Sequence, residues 1–146
     1  MVADDQPPEE FKALIVATIL DTDPERALDM LCEYYKVDRP RLSVGVVKGR
    51  SRGVQAVYTA SRKEILAANR EYLYDPFTIL HEFYHHLRYH GTRHRGTEKY
   101  ADKFAEGFIL AYNRVVAAML AEKEKVRRGE SLGTQVGSSF GAENLP

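Results

Sequence analysis

The chain has 146 residues, enough to bury a core in one domain, and its 21 basic and 21 acidic side chains cancel to a formal net charge of zero. That balance gives no electrostatic preference for nucleic acid or for an anionic membrane surface. A single cysteine, Cys32, excludes an internal disulfide framework and a cysteine-built metal site, and no apolar run reaches the roughly 18 residues that a membrane span needs.

After a polar start ending in Pro7-Pro8, residues 9–20 are predicted as a helix. Residues 11–20 are apolar, but acidic residues precede them and no cleavage site follows, which argues against a signal peptide and for a cytoplasmic location. Asp23-Pro24 predicts the cap and first position of a second helix running to about Lys36, with Ala27, Leu28, Leu31 and Tyr35 on one side. Residues 41–47 and 54–59 are β-rich runs flanking Lys48-Gly49-Arg50-Ser51-Arg52-Gly53, which predicts a hairpin. Residues 63–68 are ambiguous on local signals, because Ser61-Arg62-Lys63-Glu64 has the form of a capping box and favours helix. Asp75-Pro76 supplies an N-cap carboxylate and a proline for a helix whose Ile79, Leu80, Phe83, Tyr84 and Leu87 form one apolar stripe. Gly91 is expected to end it. A last helix is predicted from Thr97, with a packing stripe through Phe104, Phe108, Ile109, Tyr112, Val115, Val116 and Met119. Beyond Arg128 the composition turns to glycine and serine, so residues 1–128 are expected to form one domain and 129–146 a flexible tail.

All five histidines fall between His81 and His94, and the run opens as His81-Glu82-Phe83-Tyr84-His85, an HExxH motif. Residues four apart share a helix face, so His81 and His85 can grip one metal ion, and Glu82 can reach a water bound to it. Zinc held this way needs a third protein ligand and an open position for water. His86 and His90 lie about 140° and 180° around an unbroken helix from His81, too far to join it. His94 follows Gly91, so a loop could carry it back. Glu98 is the better candidate, since Gly96-Thr97 reads as a loop end plus N-cap and places Glu98 in the first turn of the next helix. Asp102 follows one turn later on the same face, where its carboxylate can accept the free ring N–H of a zinc-bound histidine. Only 12 residues separate His85 from Glu98, and in a tight antiparallel pair Asp102 or Glu106 would lie level with the metal instead.

HEFYHHL followed by Glu98-Lys99-Tyr100-Ala101-Asp102 resembles the gluzincin metallopeptidases, which pair HExxH with a glutamate in an ExxAD or ExxAN segment of a later helix. The closest likenesses are the small single-domain minigluzincins, the HtpX-type and the ImmA/IrrE-type peptidases. The metzincins differ: they require glycine at position 88 and histidine at 91, where this chain has Arg88 and Gly91. The resemblance spans residues 75 to about 112. It implies an α+β zincin-like fold: N-terminal helices, a small sheet of about three strands, the HExxH helix, then a glutamate-bearing helix. It implies His81, His85 and Glu98 as ligands of one Zn2+ per chain, with Glu106 as runner-up for the third. Asp102 would support a ligand from behind, and Glu82 would be the general base of peptide hydrolysis. It also places a strand just before the active-site helix, an edge along which an extended peptide or unfolded-protein substrate can pair. Tyr100, Arg93, His94, Arg95 and Tyr112 are chemically able to donate to the oxyanion. The expected partner is thus a peptide, not nucleic acid or membrane, with self-inhibition by the tail (through Val136 and Phe140) as a further hypothesis. The alternative is a zincin-fold protein that binds or regulates a partner with weak or no peptidase activity.

Overall fold

The computed structural model describes residues 7–46, 55–90 and 98–129. The chain is α+β. Its elements in order are helices α1 (Glu9–Leu20) and α2 (Pro24–Tyr35), strands β1 (Arg41–Val44), β2 (Ala56–Thr59) and β3 (Glu64–Ala67), and helices α3 (Pro76–Tyr89) and α4 (Glu98–Arg127).

Local chemistry accounts for the helix ends. Glu9 and Glu10 occupy the first turn of α1, where negative charge suits the positive end of the helix. Thr22 and Lys36 take left-handed backbone angles (φ 62° and 61°) and turn the chain out of α1 and α2. Asp23 caps α2 by accepting from the Arg26 N–H at 3.2 Å, with Pro24 at the first helical position. The inward faces, Ile15, Val16 and Ile19 of α1 and Leu28 and Leu31 of α2, meet Ile79, Leu80, Phe83 and Leu87 of α3 and Phe108 of α4 in one core.

The sheet departs from the predicted hairpin. Its order is β1-β3-β2, with β3 parallel to β1 and antiparallel to β2, so the two runs that flank the turn signal never pair. Burial gives the reason: Glu64, Ile65 and Ala67 are buried in β3, whereas β1 has no buried residue, and the buried strand takes the centre and bonds on both edges. The turn signal itself lies outside the described residues. Of the two readings of 63–68 the strand holds, as β3 over Glu64–Ala67, and the helix reading does not. The run after Thr59 forms a short 3₁₀ turn, Ala60–Arg62, which Lys63 closes at φ 49° before β3 begins. A second 3₁₀ turn, Arg70–Tyr74, leads into α3, with the Asn69 side chain accepting from the Tyr72 N–H at 3.3 Å.

An interior β3 cannot be the substrate edge that the sequence reading placed at 63–68. The edge beside α3 is β2. Ala68 N–H donates to the Gln55 carbonyl at 2.8 Å, which fixes the alternation along β2. Val57 and Thr59 turn their backbone groups to β3, while Ala56 and Tyr58 turn theirs outward. Among the described residues no strand pairs with that outer edge.

The chain divides into two compact units, Met1–Tyr112 and Asn113–Pro146. In the first, α4 buries Ala101, Ala105, Phe108 and Ala111. In the second, Met119, Leu120 and Val126 are exposed, so the packing stripe expected to continue through Met119 is not covered there. By length and composition alone, α4 is apolar enough to cross a membrane, reaching a mean hydropathy of 1.3 over 18 residues. Of the predicted tail, 129–146, residues 130–146 with Val136 and Phe140 lie outside the described residues.

Candidate metal centre

Helix α3 begins at Pro76, as expected, but the Asp75 carboxylate does not cap a backbone N–H. Its Oδ2 lies 2.5 Å from the Thr78 hydroxyl, which sits 2.9 Å from the Gln55 side-chain amide. Both partner atoms are oxygens, Asp75 Oδ2 and Gln55 Oε1, so the Thr78 hydroxyl has one proton to offer two acceptors. From this start the helix buries Ile79, Leu80, Phe83, Tyr84 and Leu87 and leaves His81 and His85 half-buried at the border of that stripe.

The two histidines meet the first residue of α4. Glu98 Oε1 lies 2.6 Å from His81 Nε2, and Glu98 Oε2 lies 3.1 Å from His85 Nε2. One ligand atom from each of the three residues falls within 4.8 Å of the others, a group that could hold a metal ion. Helix α3 stops at Tyr89, ahead of His90, and Glu98 opens α4. Glu106, two turns further along α4, is exposed, and His94 lies outside the described residues.

Behind the cluster, His81 Nδ1 is 2.9 Å from Asp102 Oδ1, close enough for an ion pair but not aligned as a hydrogen bond. Asp102 thus stands behind the ring at ion-pair distance, without the aligned N–H···O bond by which a carboxylate fixes a ligand's tautomer. Burial pushes the His85 imidazole below its ordinary value of 6.5, outweighing the opposite pull of Glu98, so the ring is held neutral, the form that binds metal. Two imidazole nitrogens and one carboxylate oxygen, with a second carboxylate behind one ring, make a nitrogen and oxygen donor set suited to a divalent metal ion.

Glu82 stands next to His81 on the wall of an open cleft of about 160 Å³, lined also by Gln55, Ala56, Phe77 and Thr78. The Phe77 ring leans on His81 at 5.8 Å between centroids. Of the five residues named as oxyanion donors, Arg93, His94 and Arg95 lie outside the described residues, and Tyr100 and Tyr112 are on α4.

His86 lies off the metal face, as its angle around the helix predicts, and it is fully buried and hydrogen-bonded at both ring nitrogens. Its Nε2 is 2.6 Å from the Asp38 backbone carbonyl and its Nδ1 is 2.8 Å from the Tyr58 hydroxyl. The carbonyl can only accept, so Nε2 carries the proton and Tyr58 donates to Nδ1. A signal for this burial exists in the sequence: His86 lies seven residues after Ile79, on the apolar face of α3. The Tyr58 and Gln55 contacts have no such local signal.

No model of a known protein family matches this chain, and neither the curated proteins nor the solved structures compared with it give a match.

Proposed function

We propose that this chain is a zinc-dependent endopeptidase of the gluzincin type, with His81, His85 and Glu98 as the metal ligands and Glu82 as the general base. The observation that carries the reading is the convergence of Glu98 on both motif histidines, with Glu82 beside His81 on the wall of a cleft. Bound zinc would lower the pKa of a coordinated water and polarise the scissile carbonyl. Glu82 would take the proton of the attacking water and hand it to the leaving amine. Asp102 would support the His81 ring from behind.

The cleft is small and open, below the roughly 300–1,000 Å³ typical of enclosed small-molecule sites, which favours a chain laid across it. The outward backbone groups of Ala56 and Tyr58 offer such a chain main-chain hydrogen bonds that are indifferent to its sequence.

The test is metal content and cleavage together. Wild-type protein purified without a histidine tag should hold about one zinc per chain by elemental mass spectrometry, and His85→Ala should lose it. Glu82→Gln should keep the metal and lose peptide cleavage by about 10²-fold or more. Cleavage that survives Glu82→Gln would count against this mechanism, and a wild-type chain that holds no zinc when supplied with it would end the reading.

A further inference from the structure

We infer that two side-chain clamps, Gln55–Thr78 and Tyr58–His86, fix β2 against α3 and set the position of a bound peptide relative to the metal ligands, which makes Tyr58 and His86 positioning residues. This rests on the peptidase reading above. Each clamp joins one residue of the β2 segment to one residue of α3, at 2.9 Å for Gln55–Thr78 and 2.8 Å for Tyr58–His86. On the helix they bracket the motif: Thr78 lies one turn before His81, and His86 directly follows His85. The spans match. Three residues of strand cover about 10 Å and eight of helix about 12 Å, so β2 can run alongside the motif with both clamps made.

Between the clamps lies Ala56, whose outward backbone groups would bind the peptide, yet its methyl side chain offers little hold on α3. Among the described residues β2 is a four-residue strand bonded along one edge only, so these side-chain bonds add to packing in holding it against the helix. The Tyr58 clamp is the stiffer. His86 is fully buried, and its second nitrogen is fixed on the Asp38 carbonyl at 2.6 Å, so the ring cannot turn without giving up a bond on each side. An error of about 1 Å in the placement of a reacting bond costs on the order of 10²-fold in rate, which is the scale on which such a clamp matters.

The experiment uses the full chain loaded with zinc and two kinds of probe. Acetohydroxamate binds the metal alone; peptidyl hydroxamates of varied sequence carry the same metal-binding group plus an extended chain. Wild type should bind the best peptidyl hydroxamate more tightly than acetohydroxamate. Tyr58→Phe removes one hydroxyl and keeps the ring. It should keep about one zinc per chain and leave acetohydroxamate affinity within about twofold. It should weaken the peptidyl hydroxamate about tenfold or more and lower kcat for a peptide substrate. Thr78→Val should act in the same direction. Val57→Ala, on the opposite face of β2, controls for loss of stability and should leave the difference between the two probes intact. Tyr58→Phe with both affinities unchanged, or Val57→Ala losing the peptide advantage equally, would overturn the clamp while leaving the zinc reading in place. A wild-type chain without zinc would overturn the peptidase reading and the clamp with it.

Discussion

His86 carries a prediction about acid. Burial lowers its pKa below the ordinary 6.5, outweighing the upward pull of its bond to the Asp38 carbonyl, and the neighbouring His90 and Lys63 add to the lowering. His85 moves in the same direction, again chiefly through burial. The unfolded chain therefore takes up these protons first as pH falls. Their contribution to stability is fully present above pH 6.5 and is lost as pH drops from there through the lower folded values. Urea midpoints of the metal-free protein should accordingly fall between about pH 7.5 and pH 5.5, and His86→Gln should fall less steeply over that range. Equal slopes for wild type and variant would show that His86 is not held neutral. Cys32 makes the contrast with a reactive group: it is buried, its Sγ lies 3.6 Å from the Asp38 carbonyl, and burial pushes its thiol up to about 12, away from the reactive thiolate.

At the scale of elements, α4 supplies the acids that complete the site, and their order along the helix yields a graded test. Glu98→Gln removes the carboxylate that touches both histidines and should abolish stable zinc binding. Asp102→Asn removes the group behind His81 and should weaken zinc by about 10–100-fold in chelator competition. Glu106→Gln, on an exposed turn, should bind as wild type does. If Glu106 proved essential and Glu98 dispensable, the first turn of α4 would not be the ligand turn. Local punctuation made most helices legible: Asp23-Pro24 and Asp75-Pro76 mark the starts of α2 and α3, and four-residue spacing placed the two histidines on one face. The sheet was not legible. A turn signal between two β-rich runs says nothing of a third strand inserted between them, since pairing is decided by which strand is most buried, a property of the whole fold. The edge facing the cleft was misplaced for the same reason. The stripe on α4 showed that the helix has an apolar face but not where its cover ends, near Ala111.

Across the first unit, the residues inside the motif tie the candidate metal site to the core. Phe83, one of the two variable positions of HExxH, is fully buried, with its ring 6.1 Å from Tyr35 of α2 and 6.4 Å from Phe104 of α4. Helix α3 therefore presents the proposed ligands on one side and packs against α2 and α4 on the other. Truncating Phe83 to alanine should cost roughly 3–5 kcal/mol, a large share of the 5–15 kcal/mol typical of a domain. Zinc would bind only the folded arrangement that brings Glu98 to His81 and His85, so it should return about 4 kcal/mol when free metal exceeds its dissociation constant by about a thousandfold. Metal-free Phe83→Ala should consequently unfold at low urea, and buffered zinc should move its midpoint back towards that of metal-free wild type. Zinc should also raise the wild-type midpoint by a similar free energy, because the linkage depends on the ligands and not on the core. A variant that zinc leaves untouched while wild type responds would mean that α3 no longer places its histidines opposite Glu98 once Phe83 is gone. A wild type that zinc leaves untouched would mean that these three residues, close as they stand, do not form a metal site.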